Sequence, residues 1–131
     1  LGQRDHMDVY GTDYDTPDGT CLRDYIHVSD LIAAHMDALS HLRRGGESGI
    51  FNCGYGKGYS VLEVIRAVEK AFGGPVKANM VPRRAGDPVA IIAGADRVKS
   101  ILGWKPKYHD LNTIVASALA WENHLARRHA V

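Results

Sequence analysis

Several scarcities narrow what this chain can be. It has two cysteines in 131 residues, Cys21 and Cys53, with neither a C-x-x-C spacing nor a disulfide-dense pattern. That excludes a disulfide-stapled fold and points to unpaired thiols in a reducing cytoplasm. No apolar run approaches the roughly 18 residues needed to cross a bilayer, and the opening "LGQRDHMDVYG" has no signal-peptide core, so no membrane partner is expected. Charge of one sign is missing too: the formal net charge is +1, and no general field draws the chain to nucleic acid. Metal-ligand spacing is absent as well. Among seven histidines, His35 and His41 stand six apart and no H-E-x-x-H occurs, so no metal is expected. An initiator methionine is also lacking, and the chain is expected to be a piece of something longer.

With 45% hydrophobic and 24% charged residues, the composition suits one soluble domain, or part of one. Asp8 to Tyr10 reads as extended, and Pro17-Asp18-Gly19 as a turn. Cys21 to Ile26 reads as a second strand. A helix follows, capped by Ser29 or Asp30, with Leu31, Ile32, His35, Ala38, Leu39 and Leu42 at helical spacing and Gly45-Gly46 as its stop. Ile50 to Cys53 reads as a strand. Ser60-Val61-Leu62-Glu63 is a capping box that opens a helix over Val61 to Phe72. Beyond Pro75 come a strand to Val81, a polar loop, an apolar piece from Val89 to Ala93 and a short helix capped by Asp96. A last helix begins in "DLNTIVASALAWENHLARR", with Leu111, Ile114, Val115, Ala118, Leu119 and Trp121 on its apolar side. Trp104 and Trp121 read as core aromatics. The order is α/β, but two strands precede the first helix, so no complete doubly wound sheet is encoded.

The run "FNCGYGKGYSVLEVI" imitates a dinucleotide-binding turn. However, Gly54, Gly56 and Gly58 read G-x-G-x-G, without the three-residue step of the fingerprint and without a second strand carrying an acid at the right distance. The glycines are expected to let a strand turn sharply into a helix, with the Ser60 hydroxyl rather than a phosphate meeting the helix amides. Two other stretches carry charge that a fold alone does not require. "CLRDYIHVSD" sets Arg23 and Asp24 in an apolar strand, and "VPRRAGDP" sets Arg83, Arg84 and Asp87 in a turn. Two arginine forks and a carboxylate suit the oxygens and ribose hydroxyls of a nucleoside diphosphate. Equally, Arg23 can pair with Asp24 or Asp30, and the turn can simply be solvated. His27, just before a cap, reads as a hydrogen-bonded structural residue.

The runs "VYGTDYDTPDGTCLRDYIHVSDLIAAHMDAL", "FNCGYGKGYSVLEVI" and "RRAGDPVAIIAGADRVKSILGWKPKY", in that order and spacing, resemble the C-terminal part of the UDP-glucose 4-epimerases, also called UDP-galactose 4-epimerases. These belong to the extended short-chain dehydrogenase/reductase superfamily. The likeness runs from about Gly2 to beyond Trp121, and "DGTCLRDYIHVSDL" is its most specific stretch. It leans toward bacterial forms that supply UDP-galactose for surface polysaccharide.

The resemblance implies that residues 1–131 form a C-terminal UDP-sugar-binding region of mixed short strands and helices, with the Rossmann NAD domain largely absent. Residues 29–54 would pack on that missing domain and expose an apolar surface without it. In the family a bound NAD takes hydride from C4 of the hexose and returns it to the opposite face, while a Tyr-x-x-x-Lys pair and a Ser or Thr move the proton. No tyrosine here has a lysine four residues on. The chain is therefore expected to hold no catalytic and no cofactor-binding residue, and to be inactive alone. The family's contacts to UDP-glucose or UDP-galactose fall on Asp8, Val9 and Tyr10, with Tyr10 against the uracil. They fall also on Arg23 and Arg84 at the diphosphate, on Asp87 at the ribose, and on Ile91 at the sugar. Asp8 stands where the family commonly has a small or apolar residue, and Ile91 where it often has Tyr or Cys. The complete enzyme is expected to be a homodimer. A free-standing UDP-sugar-binding module and a UDP-pentose 4-epimerase are the alternatives.

Overall fold

A computed structural model describes residues 4–128, so Gly2, where the resemblance begins, lies outside the described residues. In chain order the elements are β1 (Met7–Tyr10), β2 (Leu22–Arg23), α1 (Val28–Arg43), β3 (Tyr59–Ser60), α2 (Val61–Phe72), β4 (Ala78–Val81), β5 (Ala90–Ile91), α3 (Asp96–Leu102) and α4 (Leu111–Arg128). β1 and β4 form a parallel pair with Tyr10 opposite Val81. β2 lies between β3, antiparallel, and β5, parallel, with Arg23 opposite both Tyr59 and Ile91.

The turn at Pro17-Asp18-Gly19 is closed by Tyr14 N–H donating to Gly19 O at 2.9 Å. Its Asp18 carboxylate accepts from Thr20 N–H (3.1 Å) and the Thr20 hydroxyl (2.7 Å), and also from the Ser60 hydroxyl. The turn is thereby tied to the start of α2. There the capping box forms as expected: Ser60 Oγ accepts from Glu63 N–H at 3.0 Å, and Glu63 Oε2 accepts from Ser60 N–H at 2.7 Å. Gly73, at φ 80°, ends the helix in the left-handed conformation. Ala67 of α2 packs with Leu111 and Val115 of α4 in one small core. A second core joins Ala34 of α1, Ala95, Val98 and Leu102 around α3, and Trp104, which is 1% exposed.

The cap of α1 is His27, not Ser29 or Asp30: its Nδ1 accepts from Ser29 N–H at 3.0 Å. Asp30 is instead buried as an anchor for the other end of the chain. It accepts from the Tyr55 hydroxyl (2.7 Å), Lys107 N–H (2.9 Å) and Tyr108 N–H (2.8 Å), while its backbone carbonyl accepts from the Trp104 indole at 2.8 Å. Burial pushes the Asp30 carboxyl up, but these hydrogen bonds outweigh that and hold it below the usual carboxylate range.

Four other expectations give way. The strand expected over Cys21 to Ile26 shortens to Leu22–Arg23, and Ile50 to Cys53 makes no strand, because among the described residues it has no ladder partner. Asp96 is the first residue of α3 rather than its cap, which is Ala95 and makes no side-chain bond. Trp121 is 56% exposed, stacked on His124. The 12-residue α2 covers an 18-residue α4 whose buried residues, Leu111 and Val115, lie in its first half. α1 likewise shows an uncovered apolar row, Val28, Ile32, Met36, Leu39 and Leu42, with Ile50 beyond it.

Candidate functional site

The parallel pairing of β2 with β5 places Arg23 beside Ile91, and the chain leading into β5 delivers Asp87 to the Arg23 guanidinium. Arg23 Nη2 donates to Asp87 Oδ1 at 2.7 Å, with both side chains about three-quarters buried. Nη1 donates to Leu22 O (2.7 Å) and Pro88 O (3.0 Å). Three of the five guanidinium donors are thus committed, and two remain for an anion. Neither Asp24 nor Asp30 pairs with Arg23; its partner is 64 residues away.

Ile91 is 54% exposed and so is not a core residue. It lines a cavity of about 490 Å³ together with Arg23, Asp24, Phe51, Asn52 and Cys53, among others. Burial pushes the Cys53 thiol above its ordinary value, and the residue packs against the core around Trp104.

The β1–β4 register brings Arg84, three residues past Val81, over the Tyr10 ring, with the guanidinium carbon 3.6 Å from the ring centre. Among the described residues Arg84 makes no ion pair, and it is exposed. The neighbouring Arg83 is committed: it stacks on Tyr14 at 4.1 Å and pairs with Asp13 at 2.7 Å. Asp8 lies 3.5 Å from His6 at the edge of the same strand. Val9 is 1% exposed, so its side chain belongs to the core and only its backbone could meet a ligand. A turn in which Asp87 N–H donates to Arg84 O at 3.3 Å joins this group to the Arg23–Asp87 pair.

Two features were not read from the sequence. One is Asp24, whose carboxylate accepts from Tyr55 N–H at 3.0 Å and Gly56 N–H at 2.9 Å. The amides of Tyr55 and Gly56 face a carboxylate of the chain itself, and the Ser60 hydroxyl instead accepts from Glu63 at the start of α2 and donates to Asp18. An acid in an apolar strand was the available signal, but its partners stand more than thirty residues away. The other is a contact between Ser117 and His27 Nε2 at 2.9 Å, the spacing of a nucleophile and its base. Because Ser29 N–H donates to Nδ1, the neutral ring carries its proton on Nε2 and donates to Ser117, whose own proton goes to Ile114 O at 2.9 Å. The pair runs in the direction opposite to catalysis and serves to brace α1 against α4. Tyr55 is likewise held as a donor: burial and the Asp30 carboxylate push it up to about 12.

The NAD dependent epimerase/dehydratase family model matches residues 3–54. The UDP-glucose 4-epimerase of Azospirillum brasilense is 58% identical over 125 residues, which is 95% of this chain and 36% of that protein. Among solved structures, the UDP-Glc/GlcNAc 4-epimerase of Campylobacter jejuni matches at 49% identity with a TM-score of 0.85, over 94% of this chain and 37% of that one. The UDP-glucose 4-epimerase of Bifidobacterium longum, in complex with NAD+ and UDP, matches at 45% identity and a TM-score of 0.85, over 94% of this chain and 36% of that one. The chain therefore spans little more than a third of the length of the relatives it matches.

Proposed function

We propose, from the match of the NAD dependent epimerase/dehydratase family model to residues 3–54 and the likeness to UDP-glucose 4-epimerases along nearly the whole chain, that this chain is the C-terminal UDP-sugar-binding part of a UDP-glucose 4-epimerase. The observation that carries this reading is that Arg23 and Ile91 line one cavity while Asp87, paired with Arg23, is joined by a single turn to Arg84 on Tyr10. Each group then has a chemical task. Arg84, exposed and without an acidic partner, and the two remaining donors of Arg23 take the diphosphate oxygens. Asp87 accepts from the ribose hydroxyls. Tyr10 offers the uracil the ring face that Arg84 leaves open. The backbone of Asp8 and Val9 flanks the base, and Ile91 bounds the sugar.

NAD, which removes hydride from C4 of UDP-glucose or UDP-galactose and returns it to the opposite face, is held in this reading by the part of the complete protein outside this chain. Residues 29–54 pack against that part, which the uncovered apolar side chains of α1 and Ile50 support. Among the described residues no helix is long and apolar enough to cross a membrane. The unpaired Cys21 and Cys53 fit a cytoplasmic enzyme. Dimerisation of the complete protein rests on the family resemblance alone.

Calorimetric titration of the complete protein with UDP tests the site. Arg84→Ala is expected to weaken binding by about 1.5 to 3 kcal/mol, the range for a hydrogen bond to a charged group. Arg84→Lys should recover only part of that, since it keeps the charge and loses the fork. An unchanged dissociation constant in Arg84→Ala would remove Arg84 from the diphosphate site.

A further inference from the structure

One carboxylate ties together the two backbone segments that wall the Ile91 cavity. Asp24 Oδ1 accepts from Tyr55 N–H at 3.0 Å, and Oδ2 accepts from Gly56 N–H at 2.9 Å and Ala93 N–H at 3.3 Å. The Asp24 N–H itself donates to Ile91 O at 3.2 Å. Among the described residues no cation pairs with Asp24, so its charge is directed at these three amides. The approach is close enough to require glycine at position 54. A Cβ there would lie 2.5 Å from Asp24 Oδ2 and 2.5 Å from the Ala93 methyl.

Arg23, the preceding residue, lines the same cavity and pairs with Asp87. We infer that Asp24 is a positioning residue for the sugar end of the site. By holding the 54–56 loop against Ala93, two residues past β5, it sets where Ile91 stands relative to Arg23, and with that the volume left for the hexose. The glycine run, which imitates a phosphate-binding turn in sequence, is in this reading the anchored continuation of Phe51 to Cys53, which line the cavity. The inference rests on the reading of this cavity as part of a UDP-sugar site.

The test uses the complete protein. Asp24→Asn keeps the side chain's size but presents an N–H₂ donor where three N–H groups converge, so at least one amide loses its acceptor. UDP, which lacks the sugar, should bind the variant within about twofold of wild type, while kcat/KM for UDP-galactose falls about tenfold or more, as expected when a reacting group is misplaced. A residue that only stabilises the fold would lower the thermal midpoint without separating these two quantities. Unchanged turnover, or an equal loss in turnover and in UDP affinity, overturns the inference.

If Asp24→Asn does not fold, Gly54→Ala, which presses on the carboxylate, should give the same split. In wild type the amides of Tyr55, Gly56 and Ala93 should exchange with deuterium slowly, and exchange at the rate of an open loop would refute the clamp. Failure of wild type itself to bind UDP would overturn the reading of the cavity instead, leaving the clamp to be judged by exchange.

Discussion

Arg23 and Ile91 illustrate what single residues disclose and what they withhold. The sequence marks Arg23 as a charge that an apolar strand does not need, but its partner Asp87 is 64 residues away, and only the β2–β5 pairing brings them within 2.7 Å. The partners of Asp24 are hidden for the same reason, since all three amides it holds belong to segments remote in sequence. Local spacing reports helix faces and caps; it does not report which side chains meet across a sheet. Ile91 is exposed at a cavity wall rather than packed in the core, which supports its place in the proposed site. Isoleucine is stiff at χ1 and occupies a fixed volume. Under the proposed function the complete protein should therefore favour UDP-galactose over UDP-N-acetylgalactosamine by about 1 to 3 kcal/mol, the usual range for one group in a pocket, and Ile91→Ala should remove much of that preference. The ratio of the two specificity constants, taken alongside a melting curve, measures this. An unchanged ratio in a folded variant would move the gate elsewhere.

Asp30 supports a prediction about acid. Its carboxyl is held below its unfolded value, so the stability it contributes is present above about pH 4, the ordinary aspartate range, and is lost as pH falls through the lower folded value. Asp30→Asn puts an N–H₂ against donors from Lys107 and Tyr108 and should cost about 1 to 3 kcal/mol at pH 7. The gap between variant and wild type should narrow below about pH 4 in denaturation series. A gap constant from neutral to acid pH would mean that Asp30 is not the group being titrated.

At the scale of elements, the helices and the strands β1 and β4 were legible, whereas β2 is shorter than expected and Ile50 to Cys53 is no strand. α2 carries its own instructions: the Ser60–Glu63 box, the apolar face and Gly73 all act within a few residues of one another. Ile50 to Cys53 has the composition of a strand, but a strand exists only through a partner, and no described residue pairs with it. Trp121 failed for a related reason: helical spacing defines a face without ensuring that another element covers it. Ser60 is the element-scale test. Ser60→Ala removes the acceptor for Glu63 N–H and also the hydroxyl bound to Asp18, so it should cost at least the ~1 kcal/mol typical of a lost cap. A chemical denaturation midpoint shows this directly, and a shift no larger than that of an exposed alanine substitution would mean that the cap contributes little.

Across the whole molecule, two small cores and a row of uncovered apolar side chains on α1 describe a chain whose burial is incomplete in its present length. Under the proposed function the missing cover and the missing chemistry coincide, both lying in the part of the relatives that this chain does not span. This chain alone, freed of contaminating enzyme, should neither retain NAD nor interconvert UDP-galactose and UDP-glucose, because the hydride carrier's site and the proton-transfer pair lie elsewhere. Measurable turnover by the purified chain would refute that division of labour. The family likeness was legible throughout, since it rests on the order and spacing of whole motifs rather than on any one residue.

The most direct test of the central claim is a crystal structure of the complete protein with UDP bound. The account predicts the diphosphate oxygens within hydrogen-bond distance of Arg84 and Arg23, the ribose hydroxyls at Asp87, and the uracil against the Tyr10 ring. A nucleotide ordered at any other surface, with Arg84 still lying on Tyr10 and no phosphate near Arg23, would contradict it.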